Sequence, residues 1–72
     1  MIGKTSDEKK EILSFYKDNN SKVHIMCWDG FFYNGEVLEI KDIIVILNDI
    51  KNGETAISIS NIKKIDNFRE VE

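Results

Sequence analysis

With 72 residues the chain has room for one domain and no more, and because Cys27 is its only cysteine no disulfide can close within it. No Cys/His cluster has metal-ligand spacing, so neither a metal nor a cofactor is expected, and no apolar run approaches the roughly 18 residues of a membrane-spanning helix. Ten basic and thirteen acidic side chains are mixed along the chain to a net charge of −3, which argues against a globally basic nucleic-acid binder; any such site must be a local patch or belong to an assembled surface.

Residues 1–5 run straight into charge without the apolar stretch of a signal peptide, and together with the lone thiol this leads us to expect the cytoplasm. Residues 5–19 are predicted to be helical. Thr5 and Glu8 have capping-box spacing, and Asp7 and Glu8 sit where the helix dipole favours negative charge. Ile12, Leu13, Phe15 and Tyr16 make one apolar stripe, and Lys9, Lys10, Glu11, Lys17 and Asp18 take the wet side. Asn19, Asn20 and Ser21 end the helix. So short an amphipathic helix needs a surface to lie on.

At Lys22 the period changes from helical to alternating. Val23, Ile25 and Cys27 point one way and His24, Met26 and Trp28 the other, as on a strand. Asp29-Gly30 is the strongest hairpin signal, read as a tight turn with positive φ favoured at both central positions. Residues 31–40 return as a second strand, with Gly35 suited to a sharp bend inside it. Lys41 and Asp42 break the pattern. The β-branched run at 43–47 fits a strand covered on both faces. Asn52-Gly53 is the pivot of the next turn. Residues 55–59 form a fourth strand, Ser60 and Asn61 a tight break, and residues 62–65 a fifth strand. A mixed-charge tail follows at 66–72.

One helix and five short strands, without proline or internal repeat, predict a mainly β domain. The helix caps one open end of an antiparallel meander that closes into a small barrel of SH3 type across residues 22–65. A core this small supplies about 3–5 kcal/mol when no staple assists it. Association with further copies is the available source of extra buried area.

The stretch 23–49, VHIMCWDGFFYNGEVLEIKDIIVILND, resembles the first sequence motif of the Sm-like family, including its bacterial Hfq branch. Alternating Val23, Ile25 and Cys27 precede Gly30, Gly35 follows after four residues, and a charged break leads into an apolar third strand. In order of elements the likeness covers nearly the whole chain. It implies one Sm-like domain over residues 1–72, with a strongly bent barrel whose subunits join edge to edge into rings that bind single-stranded RNA. The chain departs from the family where that family reads RNA. The acidic residue expected after the second strand falls on Lys41, with Asp42 beside it. The asparagine that reads a uracil in Sm proteins falls on Val45. The basic signature between the last two strands, Arg-Gly or Lys-His, is replaced near Ile59, Ser60 and Asn61. Fold and assembly therefore carry over better than the uridine pocket.

Six residues are candidates for RNA contact. Lys41 and Asp42 would meet a phosphate and a base at the mouth of a ring, or else form a solvated turn. Ser60 and Asn61 offer hydroxyl and amide groups, and are also ordinary turn residues. Lys63 and Lys64, with Arg69, are the densest basic cluster, blunted by Asp66 and Glu70. Of Trp28, Phe31, Phe32 and Tyr33, most are expected in the core or at a subunit contact, with Trp28 or Phe32 the better stacking surfaces.

Thr55, Ala56, Ile57, Ser58 and Ile59 lack any gatekeeper, and with Ile62 they are the candidate subunit interface; an exposed edge of this kind invites pairing with another chain. His24 and Cys27 lie on opposite strand faces, and no nucleophile elbow or carboxylate pair is identifiable, so catalysis is not expected. The reading is a cyclic homo-oligomer that binds single-stranded RNA, with no membrane and no small-molecule substrate. The alternatives are an assembly module that has lost RNA binding and, more remotely, a monomeric SH3-like adaptor.

Overall fold

The computed structural model describes residues 6–68, so Thr5 of the expected capping box and Arg69 of the basic cluster lie outside the described residues. The helix α1 spans Ser6–Asp18, with Asp7 and Glu8 in its first turn and Lys17 in its last, each favourable to the helix dipole. Asn20 ends it in a left-handed conformation at φ 54°, which Asn tolerates better than most residues. Asn20 N–H donates to the Lys17 carbonyl at 3.2 Å and Ser21 N–H to the Tyr16 carbonyl at 3.0 Å, the paired bonds of a Schellman cap.

The buried side of α1 differs from the expected stripe. Leu13 is fully buried, and Lys9, expected on the wet side, is buried as well, whereas Phe15 is 62% exposed. At about 100° per residue, Lys9, Leu13 and Tyr16 fall on one line while Phe15 sits some 200° from Leu13. Once Leu13 is the centre of the contact, Phe15 has to face outward. The Lys9 stem covers apolar surface and its Nζ donates to the Ile59 carbonyl at 3.4 Å.

Five strands follow: β1 (Lys22–Cys27), β2 (Phe32–Ile40), β3 (Ile44–Asp49), β4 (Gly53–Ser58) and β5 (Ile62–Asn67), with a 3-10 turn at Ile59–Asn61. The order is β4-β3-β2-β1-β5, each neighbouring pair antiparallel, so the ladder is open and β4 and β5 are its two ends. Ile57 on β4 and Ile62 on β5 nevertheless belong to one apolar cluster with Leu13, Val23, Val45 and Leu47, because the sheet bends round a single core. Fully burying side chains of this size stabilises by about 1.5–3 kcal/mol each.

Gly35 marks the bend. A Cβ built there would lie 1.9 Å from the Asn48 carbonyl oxygen, so only glycine lets β2 pass this close to β3. A shift of register makes Leu38 the extra residue of β2 against β3.

Three local expectations need correction. The first hairpin is not a two-residue turn with two positive φ values; only Gly30 is positive, at 94°. Gly30 N–H donates to Cys27 O at 3.1 Å and Cys27 N–H to Phe31 O at 2.8 Å, closing a three-residue loop whose last residue is the left-handed glycine. The run at 43–47 is covered on one face only: Val45 and Leu47 are buried, Ile44 and Ile46 half-buried, and Ile43 is 72% exposed in the turn. Ile59 leaves β4 for the 3-10 turn, while β5 extends to Asn67, into the segment expected as tail.

Candidate functional site

The structure separates the six predicted RNA residues into two places. Lys41 and Asp42 occupy the exposed β2–β3 turn, closed by Lys41 N–H donating to the Ile44 carbonyl at 2.8 Å. The Asp42 carboxylate pairs with Lys10 of α1 at 3.5 Å on the surface. Ser60 comes to the same end of the molecule, where Ser6, Asp42, Ile43, Ser58, Ile59 and Ser60 line a hollow of about 240 Å³. Ser58 Oγ and Ser60 Oγ share a hydrogen bond at 3.1 Å there. Val45, the position of a base-reading asparagine in Sm proteins, is fully buried in the core.

The other three lie by the first hairpin. Asn61 is committed: its Nδ2 donates to Asp29 Oδ2 at 3.1 Å, and its carbonyl accepts Trp28 N–H at 2.9 Å. Lys63 is the extra residue of a bulge in β5, where the register against β1 shifts between Met26 and Cys27. Its Nζ lies 5.4 Å from the centroid of the Trp28 ring. Lys64 stands opposite Met26 and pairs with Asp66 at 3.4 Å.

Around these cations the aromatic residues are more exposed than expected. Trp28 is 57%, Phe31 65% and Phe32 56% exposed, and only Tyr33 packs against the core. Phe31 lies between Gly30 and the start of β2, outside the strand alternation in which the sequence reading placed it. On the outer face of the sheet the His24 ring lies 5.7 Å from Phe32, and His24 Nδ1 is hydrogen-bonded to the Asn34 side chain.

The predicted interface residues also divide. Ile57, Ile59 and Ile62 are buried in the chain's own core, leaving Ala56 and Ser58 exposed and Thr55 half-buried at the β4 edge. Ile59 N–H donates to Ile43 O at 3.0 Å, and hydrogen-bonded pairs alternate from there along the antiparallel ladder. The backbone N–H and C=O of Glu54, Ala56 and Ser58 therefore point to the free edge. By the same alternation, counted from Phe68 N–H donating to Lys22 O at 3.1 Å, those of Ile65 and Asn67 point to the other edge.

Cys27 is buried, and burial, with the negative charge of Asp29, pushes its thiol pKa up. It is a core residue. Among the described residues no group of His, Cys, Asp and Glu could hold a metal, and no helix is long and apolar enough to cross a membrane.

No family model and no curated protein matches the chain. Among solved structures it is similar to the crystal structure of the pleiotropic translational regulator Hfq, with a TM-score of 0.71 over 81% of this chain and 95% of that one, at 22% identity. The fold is Sm-like: an N-terminal helix followed by five antiparallel strands in one bent sheet.

Proposed function

We propose that this chain is a non-catalytic RNA-binding protein that works as a cyclic homo-oligomer. The observation that carries the reading is the grouping of exposed Trp28, Phe31 and Phe32 with Lys63 and Lys64 beside an open sheet edge. Rings stack on unpaired bases, and ammonium groups take the phosphates between them. An overall charge of −3 is compatible with this, because Lys63 and Lys64 stand beside the exposed rings. The fold shared with a translational regulator supports the same direction.

Assembly has its own support. β4 and β5 end the sheet with unpaired backbone groups, and β4 carries small or uncharged side chains at Ala56 and Ser58. Pairing β4 of one copy with β5 of the next would repeat the aromatic and cationic patch around a ring. The second reading, an assembly module without RNA binding, is favoured by the burial of Val45 and the commitment of the Asn61 amide to Asp29.

Light scattering after size exclusion tests the ring, and a monomer at micromolar concentration sinks it. Titration with short U-rich and A-rich RNA at two salt concentrations tests the rest. Micromolar or tighter binding that weakens with salt supports the RNA reading. Silence at low salt leaves the assembly module.

A further inference from the structure

Lys63 is out of step with β5 because it is the bulge residue, and the bulge aims its side chain at the Trp28 ring. Among the described residues Lys63 has no carboxylate partner, unlike Lys64, which is held by Asp66 at 3.4 Å. Its ammonium rests on an exposed indole. A contact of this kind is weak, and an anion competes for the cation readily. The frame beneath it is firm. The hydrogen bonds from Trp28 N–H to the Asn61 carbonyl at 2.9 Å and from Asn61 Nδ2 to Asp29 Oδ2 at 3.1 Å tie the β1–β2 loop to the turn that precedes the bulge. The indole and the Lys63 side chain are therefore carried by two stretches of backbone tied to each other by those bonds.

We propose that Trp28 and Lys63 form a nucleotide clamp in which a strand phosphate draws the ammonium off the indole and the adjacent base takes its place on the ring. This rests on the RNA-binding reading above and adds which two residues sense the strand and in what order. The ligand class is a single strand of nucleotides, since a duplex keeps its base faces stacked and has none to give. Phe32, exposed in the same hairpin, is the next stacking surface along the strand.

Trp28 is the only tryptophan, so its emission reports the exchange directly. The experiment titrates the full chain with end-labelled RNA of about ten nucleotides, following label anisotropy and Trp28 emission together. A duplex of the same sequence is run in parallel. Anisotropy and emission should change over the same concentration range with the single strand, while the duplex leaves emission unaltered. Trp28→Ala should weaken binding about tenfold, and Lys63→Met should weaken it and lower the salt slope by about one. Lys51→Ala, an exposed lysine on the β3–β4 turn, should change neither. Anisotropy that rises while Trp28 emission stays constant overturns the clamp and leaves RNA binding standing, as does an unchanged salt slope in Lys63→Met. No anisotropy change with any RNA overturns both.

Discussion

Asp49 accepts the Asn34 backbone N–H on Oδ1 at 2.9 Å, and through that bond the β3–β4 turn is tied to β2. Its Oδ2 takes the backbone N–H groups of Lys51 and Asn52 at 3.1 and 2.9 Å and the Asn52 side-chain amide at 3.0 Å. Burial alone would raise the pKa of this carboxyl. The hydrogen bonds outweigh it and hold the group below the usual carboxylate range. A depressed folded pKa contributes stability that is complete above the unfolded value of about 3.9 and is lost as pH falls through the folded value. Asp49→Asn should therefore cost about 2 kcal/mol at neutral pH. Its loss of stability between about pH 6 and pH 3 should be smaller than that of the unaltered chain. Urea unfolding at both pH values checks this, and equal acid sensitivity would show that Asp49 is not the group responsible.

Gly35 and Gly30 are both glycines of the first hairpin with different reasons to be so. At Gly35 a Cβ meets backbone at 1.9 Å, and at Gly30 nothing lies within 4 Å but φ is 94°. Gly35→Ala should cost more than about 3 kcal/mol or abolish folding, because backbone cannot yield as a flexible side chain can. Gly30→Ala should cost about 1–2 kcal/mol from the left-handed conformation alone. Thermal unfolding by circular dichroism ranks the two, and the reverse order would contradict the close crossing of β2 and β3.

The alternation of the β3–β4 ladder turns the Ala56 N–H outward, so a proline there removes no bond to β3. On the proposed ring assembly through β4, Ala56→Pro should keep the far-ultraviolet spectrum while abolishing the association that light scattering detects in the unaltered chain. A variant that is folded and still assembled would show that β4 is not the joining edge.

Lys9 is a buried lysine whose ammonium has a carbonyl, not a carboxylate, for partner. Its stem is its main contribution, so Lys9→Met should change stability by less than about 1 kcal/mol, while Lys9→Ala should cost about 1–2 kcal/mol through lost packing. Denaturant midpoints for the two variants distinguish them. Equal losses would mean that the ammonium bond to Ile59 matters more than the stem.

The Cys27 thiol, raised by burial and then by Asp29, should react slowly with a thiol reagent at about pH 8 in the folded chain and at the ordinary rate in denaturant. Rapid labelling without unfolding would contradict the burial of the β1 inner face.

Much of the local structure was legible in the chain. Alternation at Val23, Ile25 and Cys27 identified the inner face of β1, and Gly30 and Gly53 marked turns that do contain positive φ. The Asn19-Asn20-Ser21 stop became a Schellman cap. The candidate site was less legible. Lys63 and Lys64 were found by charge, but the exposure of Phe31 and the pairing of Lys63 with Trp28 follow from a loop and a bulge that strand alternation does not register.

The amino-acid order by itself determined that one helix precedes five strands, roughly where the turns fall, and which face of β1 is apolar, because these depend on side-chain periodicity and on φ preferences of neighbouring residues. Only the tertiary structure decided that Lys9 is buried while Phe15 is exposed, and that Ile57 and Ile62 face their own core. It likewise left β4 and β5 as open ends, with the aromatic residues collected beside the cations. Each of those outcomes depends on which distant element arrives at a surface, and no local pattern encodes that arrival.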